Sequence, residues 1–411
     1  MTHYLDSLNF QNLHWGGALY STPPFTRQLL GELQKDLDTP MISLLTGPRR
    51  TGKSIILKQL LNFLLQNQKV SPRQILFYEF SPHAPEDTVW QVYDNFVKNI
   101  TNSHLPVYLF FDEIQYIENY EAIIKLIYDQ RPNTKIFLTG SLSLSYKQKM
   151  SESLAGRFFT YRLSPLSFSE YLSLHLPDLI PSFQALQIEL DPYKRQHLIS
   201  LLNPHFSHFL RSGRYPEPLY NQLDISQTQS YLTNIVSQSL NQDAFNYFEI
   251  HKPQLMQSLF AYLQQNSGHE ISLTKMSNLV DTTLPTISTY LDILEIMDLI
   301  YPLYNSTNPL FHHNRMRKIY VNSAFQLLSN STEPNTAIGY ATESYVYERL
   351  RAQTPLITYY RSRNKEIDFV LPEKQTGFEV KNHSIDLYHN PNPKLAVTLL
   401  TPHTNPSLLT L

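Results

Sequence analysis

Met41-Ile-Ser-Leu-Leu-Thr-Gly47-Pro48-Arg49-Arg50-Thr51-Gly52-Lys53-Ser54-Ile-Ile-Leu-Lys-Gln-Leu-Leu61 is the stretch whose reading decides the fold. A short apolar run reads as a buried strand, a glycine-bounded loop follows, and an amphipathic helix starts at Lys53. The loop fits G-x-x-x-x-G-K-S, a pattern in which backbone N–H groups wrap around phosphate oxygens. Gly47, Pro48, Arg49, Arg50, Thr51, Gly52, Lys53 and Ser54 are thus the expected nucleotide-binding set. Lys53 would reach the β and γ phosphates, and Ser54 would give its hydroxyl to magnesium. The helix from Lys53 adds the positive end of its dipole. The plainer alternative is a glycine turn between strand and helix. The flanking elements favour the phosphate reading, as does the placement of two of only 11 glycines where the pattern needs them.

Working outward, 411 residues exceed one ordinary core and predict two to four domains. Hydrophobic content of 42% and charged content of 17% suit a globular protein. A net charge of −2 sets up no global field for nucleic acid or anionic lipid, so any such contact must come from local patches. The absence of cysteine removes disulfides and thiolate metal sites and fits a reducing cytoplasm. The first residues lack a basic start and an apolar run, so no signal peptide is expected. No apolar stretch approaches the roughly 18 residues that span a bilayer, so no membrane partner is expected.

Residues 1–40 read as a lead-in with one helix over Gln28–Leu37. From residue 41 strand, loop and helix alternate. Gln74–Phe80, Leu105–Glu113, Lys135–Ser141 and Phe158–Leu163 read as strands, and Asp87–Ile100 and Tyr120–Gln130 as helices. Near-continuous apolar strands alternating with helices predict a parallel α/β sheet covered on both faces. Ligands of such sheets bind beyond the carboxyl ends of the strands. The 47–54 loop, Asp112-Glu113 and Thr139–Ser141 all lie at such ends. Asp112 is the expected magnesium ligand, together with Ser54, and Glu113 the group that orients the attacking water; a solvated helix start is the alternative. Thr139 or Ser141 would bond the γ phosphate or that water, unless they form a plain strand-end turn. Arg157 would stabilise charge on the transferred phosphoryl, or is a surface arginine.

Residues 164–266 read as mostly helical, with helices over Asp191–Leu202 and Gln227–Leu240. His205 and His208 lack a third metal ligand and are read as a chance pair. The loop Arg211-Ser-Gly-Arg214-Tyr-Pro216 carries two cations that could reach back to the nucleotide. Residues 270–310 read as a helix-turn-helix with a wing: Ile271–Val280, a turn at 281–285, Thr286–Leu299, then Ile300–Tyr304 pairing with Arg317–Asn322. The second helix carries Asp292 and Glu295, with Asp298 near its end, and no Lys or Arg. Phosphate contacts need cations, so a packing or lid role is expected of it rather than groove insertion. The basic run His312–Lys318 either touches a phosphate backbone or is a solvated wing tip.

The last hundred residues carry a second constellation. Tyr340–Leu350 is an amphipathic helix, and Thr358–Arg363, Lys365–Leu371 and Gly377–Lys381 are strands. Asp368 and Glu379 can meet across a hairpin as ligands of one metal, with Glu343 completing the set. Two or three carboxylates hold a hard cation, and Lys381 would orient or activate water. The alternative is a scaffold that keeps the acids and cuts nothing.

Taken jointly, Gly47–Ser54, Phe111-Asp-Glu-Ile-Gln115, Leu138-Thr-Gly-Ser-Leu-Ser143, Leu154-Ala-Gly-Arg157, Leu163–Tyr171, Lys318-Ile-Tyr-Val-Asn322, Tyr359-Tyr-Arg361, Glu366-Ile-Asp-Phe369 and Phe378-Glu-Val-Lys381 resemble a large prokaryotic family of AAA-type P-loop ATPases. The resemblance covers roughly residues 25–390. In that family an ATPase core precedes a winged helix and a restriction-endonuclease-like α/β domain. It implies divisions at 1–165, 166–310 and 311–411, with ATP and magnesium as cofactors. Lys53, Ser54, Asp112, Glu113 and Ser141 would form the hydrolytic site, and Glu343, Asp368, Glu379 and Lys381 the nuclease-like set. The Pro/Asn-rich stretch after Lys381 departs from the family, which usually has a helix there. The expected activity is magnesium-dependent ATP hydrolysis. The alternatives are a nucleotide-gated switch acting through a protein partner and an ATP-driven nuclease acting on DNA or RNA.

Overall fold

Five short apolar strands build the first sheet: β1 (Ile42–Thr46), β2 (Ile75–Glu79), β3 (Val107–Asp112), β4 (Thr134–Gly140) and β5 (Phe158–Arg162). Their order is β2-β3-β4-β1-β5, and every pairing is parallel. Helices α1 (Leu29–Lys35), α2 (Lys53–Gln66), α3 (Thr88–Asn99) and α4 (Tyr120–Gln130) cover it. The structure, a computed structural model, describes residues 8–82, 84–101, 105–140, 156–248, 250, 252–305, 317–328, 334–354, 356–362, 365–381, 390, 392 and 394–400. It divides into two units, Met1–Ser164 and Pro165–Leu411.

Alternation along each strand sends neighbouring side chains to opposite faces. Ile42, Leu44, Leu109, Phe111 and Leu138 enter one layer with Val92 and Phe96 of α3 and Ile124 and Ile127 of α4. Leu45, Phe77, Phe110 and Phe137 enter the other with Leu30 and Leu33 of α1 and Ile56 and Leu60 of α2. Both faces are therefore dry, which is why the strands read as continuous apolar runs. Each of these buried side chains contributes roughly 2 kcal/mol through apolar area removed from water.

The loop that follows β1 is pinned where the chain leaves the sheet. The Thr46 carbonyl accepts the Leu163 N–H at 2.8 Å. Gly47 then runs against the backbone of Leu163, so that a Cβ at Gly47 would meet the Leu163 carbonyl oxygen at 2.3 Å. Gly52 has open space around it, and its φ of +101° is its reason for being glycine.

In the second unit the helices α5 (Phe168–His175), α6 (Ile180–Ile188), α7 (Pro192–Ser212), α8 (Ile225–Gln238), α9 (Pro253–Gln265), α10 (Leu273–Leu279), α11 (Leu284–Ile296) and α12 (Pro334–Gln353) accompany a seven-stranded sheet. The sheet comprises β6 (Glu270–Ile271), β7 (Ile300–Asn305), β8 (Arg317–Val321), β9 (Thr358–Ser362), β10 (Lys365–Leu371), β11 (Thr376–Val380) and β12 (Ala396–Leu400), in the order β12-β11-β10-β9-β7-β8-β6. β7 pairs β8 antiparallel and β9 in parallel. The strands expected as a wing and those expected as a C-terminal domain thus lie in one sheet, and it runs on past residue 310 in sequence.

α7 runs 21 residues and passes through Pro204, beyond the end expected at Leu202. Phe206 and Phe209, on its second half, pack edge-on or tilted against Phe168 and Tyr345, and that packing outweighs the hydrogen bond the proline removes. His208 faces the Tyr171 hydroxyl at 2.9 Å and the Ser212 hydroxyl at 3.2 Å. Arg214, expected in a loop reaching for nucleotide, is instead buried, and its guanidinium donates to Glu348 and to the Leu166 carbonyl within the second unit. In α11, Ile287, Tyr290, Leu291, Ile293 and Leu294 are buried and Glu295 pairs with Arg351 at 3.5 Å, so more than one face of that helix is packed.

Two stability predictions follow from the first unit. Gly47→Ala should cost about 2–4 kcal/mol, because backbone must shift to admit the methyl group, while Gly52→Ala should cost roughly 1–2 kcal/mol from strain alone; denaturant unfolding of the two variants measures the difference. His14 is buried, with Nε2 donating to the Ile75 carbonyl at 3.0 Å, and burial lowers its pKa from 6.5 to about 4. The unfolded ring binds a proton before the buried one does. The stability contributed by the neutral ring is therefore full above pH 6.5 and is lost as pH falls toward 4. The loss should amount to about 3 kcal/mol, and unfolding of His14→Gln between those pH values should lack this component.

Candidate nucleotide-hydrolysis site and a second carboxylate cluster

Because β4 lies between β1 and β3, the carboxyl ends of these three strands sit side by side, and their polar residues converge. The loop 47–52 leaves β1 and delivers Lys53 and Ser54 to the first turn of α2. Lys53 is buried, and its ammonium donates to the carbonyls of Gly47 at 3.0 Å and Pro48 at 2.8 Å, spanning the loop it belongs to. The Thr51 hydroxyl donates to the Pro48 carbonyl at 2.9 Å. Arg50, with φ of 62°, makes the loop's left-handed turn.

Asp112 ends β3 and is fully buried. Its Oδ1 accepts the Thr139 hydroxyl from the end of β4, and the Ser54 hydroxyl lies near enough to favour the charged carboxylate. Oδ2 is buried with no hydrogen-bond partner. Burial pushes the Asp112 carboxyl up, the neighbouring Glu113 charge adds to this, and the Ser54, Thr139 and Lys53 contacts oppose it. An orphaned, buried carboxylate oxygen beside a serine hydroxyl fits a divalent cation, which would neutralise the charge and occupy the bare oxygen.

Glu113 has a left-handed backbone, φ 55°, an uncommon conformation for a residue with a side chain. Its N–H donates to the Thr139 hydroxyl at 3.1 Å, and the Gln115 amide donates to its carboxylate. Thr139 therefore ties both acids to one strand end. Ser141, the other expected strand-end residue, lies outside the described residues.

Three contributors escaped the sequence reading. Arg27, from the lead-in, is buried and clamps the loop: one guanidinium nitrogen donates to the Thr51 carbonyl and another to the Ser164 carbonyl, both at 2.8 Å. Glu79, at the end of β2, pairs in register with Asp112, and burial and the Asp112 charge push its carboxyl up. Gln115 lies two residues past Glu113 and holds it. Of these, Glu79 had a signal, being the last residue of the strand next to β3.

Arg157 requires a correction. It precedes β5, and β5 pairs with β1 from Ile42↔Phe158 onward, so Arg157 lies at the amino-terminal edge of the sheet. The loop leaves the opposite edge, roughly 16 Å away at about 3.3 Å per strand residue. Arg157 pairs there with Asp129 at 3.4 Å. Within this chain it does not serve the phosphates.

The second cluster lies in the other unit. Asp368 and Glu379 meet across β10 and β11: Glu379 Oε2 accepts the Asp368 N–H at 3.2 Å, and Asp368 Oδ2 accepts the Val380 N–H at 3.0 Å. A β-bulge between Ile367 and Val370 lies where Asp368 sits. Lys381 pairs with Glu379 at 2.5 Å. Glu343 accepts the Tyr320 hydroxyl at 2.6 Å. Between them lies a residue that the sequence reading left out of the set, Lys318 of β8. Its ammonium pairs with Glu366, with Asp368 at 3.3 Å and with Glu343 at 4.0 Å. Desolvation and the Asp368 charge raise the Glu343 pKa to about 8, and the same two causes raise Glu379 to about 7. The basic run 312–316 and Arg363 lie outside the described residues.

Comparison with known proteins agrees with this geometry for the first unit. Residues 39–172 match the family model of an AAA domain, and residues 203–325 match a domain of unknown function (DUF8612). An uncharacterized protein of Haemophilus influenzae is 26% identical over 294 residues, covering 69% of this chain and 66% of its own length. The uncharacterized protein MJ1544 of Methanocaldococcus jannaschii is 24% identical over 345 residues, covering 80% of this chain and 72% of its own length. The chain thus matches just under two thirds of the Haemophilus relative. Among solved structures, a Walker-type ATPase of Pyrococcus abyssi aligns with a TM-score of 0.44 and 17% identity, over 76% of this chain and 99% of that one. Residues 39–172, which match an AAA domain, hold the 47–54 loop, the acid pair and Thr139 at one sheet edge.

Proposed function

We propose that the first unit binds ATP with magnesium and hydrolyses it, and that this hydrolysis drives an action on a separate target. The observation that carries the reading is the buried Asp112 carboxylate, held on one oxygen by Thr139 and bare on the other, beside Ser54 at the foot of the phosphate loop. Ser54 and Asp112 would hold the cation, which supplies charge neutralisation at the β and γ phosphates. Lys53 would exchange the Gly47 and Pro48 carbonyls for phosphate oxygens. The loop N–H groups and the start of α2 favour the same anion. Glu113 would orient the attacking water and accept its proton. Thr139 fixes the spacing of the two acids.

A second reading is favoured by one contact. The Gln115 amide engages the Glu113 carboxylate, and a carboxylate so engaged is a poorer base. On this reading the unit binds ATP, hydrolyses it slowly and acts as a switch through a protein partner.

Element order in the second unit supports a winged helix over α10, α11, β6, β7 and β8, and a nuclease-like layout over α12 and β9 to β12. These parts are the candidate surface for nucleic acid or protein. Among the described residues no helix is long and apolar enough to cross a membrane.

Phosphate release separates the two readings. For the ATPase, Lys53→Ala and Glu113→Gln should each lower release by roughly 10²–10³-fold, and equal release from wild type and both variants would sink it. For the switch, wild type should retain ATP with little release and Gln115→Ala should raise release.

A further inference from the structure

The family resemblance places a magnesium ion among Glu343, Asp368 and Glu379, and the structure does not fit one. We propose that Lys318 is the resident cation of this cluster: its ammonium occupies the position a divalent ion would take, and the cluster fastens β8, β10, β11 and α12 together instead of cleaving phosphodiesters. The inference stands apart from the nucleotide site and does not rest on it.

The partners are already assigned. Asp368 gives one oxygen to Lys318 and the other to the Val380 N–H. Glu379 gives one oxygen to Lys381 and the other to the Asp368 N–H. Glu343 takes the Tyr320 hydroxyl, and Glu366 takes Lys318. A hard divalent ion needs several of these oxygens at about 2.0–2.6 Å from one point. Lys318 is buried, with its ammonium among the three carboxylates of Glu343, Glu366 and Asp368. The rings of Tyr320 and Tyr359 lie 5.9 and 5.6 Å from that ammonium, adding attraction to their faces. A second positive charge about 3 Å away would be strongly repelled in so dry a setting. Among the described residues no group of three or more His, Asp or Glu is disposed to hold a metal ion.

The network also continues away from any metal position. Arg361 of β9 pairs with Glu270 of β6 at 2.8 Å and lies 3.8 Å from Glu366, and the Tyr359 hydroxyl donates to Glu270 at 2.7 Å. Arg361 and Glu366 pair across neighbouring strands, while Glu270 of β6 and Lys318 of β8 reach their partners from strands that adjoin neither β9 nor β10.

The test is Mn²⁺ uptake by the full-length, nucleotide-free chain, read as loss of the paramagnetic resonance signal of free Mn²⁺. Wild type and Asp368→Asn should take up the same amount. Lys318→Ala should gain a site tighter than any in wild type by roughly tenfold or more, since the competing charge is gone, and Lys318→Ala/Asp368→Asn should lose it. Asp368-dependent uptake by wild type would overturn the proposal. So would a folded Lys318→Ala chain that gains no site. Removing one partner of a buried ion network leaves uncompensated charge behind, so Lys318→Ala can fail to fold. In that case the wild-type and Asp368→Asn pair decides alone: equal Mn²⁺ uptake, and no magnesium-dependent plasmid nicking that Asp368→Asn abolishes, upholds the proposal, and either difference overturns it.

Discussion

The first unit depends on β4 being threaded between β1 and β3. Had β3 paired directly with β1, the loop and Asp112 would be neighbours with no third strand to supply a hydroxyl. With β4 in place, Thr139 reaches Asp112 with its hydroxyl and takes the Glu113 N–H, so one small side chain sets the position of two acids. The cost of burying Asp112 is met in part by Thr139, and the other carboxylate oxygen is left without a hydrogen-bond partner. An incompletely neutralised interior group of this kind is a common signature of a functional site in an otherwise well-packed protein.

Much of this arrangement was legible in the sequence. Apolar runs such as Val107–Phe111 can be buried only if both faces of the sheet are covered, and that requirement alone gives the layered α/β fold. The strand, loop and helix around 47–54 were legible because an apolar run, two glycines and a helical pattern follow one another at short, local spacing. Strand order was not legible, since no local signal says that β4 enters between β1 and β3. Arg157 illustrates the consequence. Its sequence neighbourhood suggested a phosphate contact, while the register of β5 against β1 puts it at the other edge of the sheet.

The second cluster shows the same division. Asp368, Glu379 and Lys381 were found because they lie on adjacent strands with side chains alternating in step. Lys318 was missed because it enters from β8, 50 residues before Asp368, and its importance appears only once the sheet is assembled. Nor does a sequence pattern tell a carboxylate that waits for a metal from one that already has an ammonium partner. Arg27 is the matching case in the first unit, a lead-in residue whose role depends on where residues 51 and 164 come to lie.

The contact between Gly47 and Leu163 has a mechanical meaning. It is backbone on backbone, with no side chain between to yield, and Arg27 grips Thr51 and Ser164 with one guanidinium. The start of the phosphate loop, its far side and the last residues of the first unit are therefore held as one rigid piece. Any reshaping of the loop must displace the strand-exit segment at 163–164 with it.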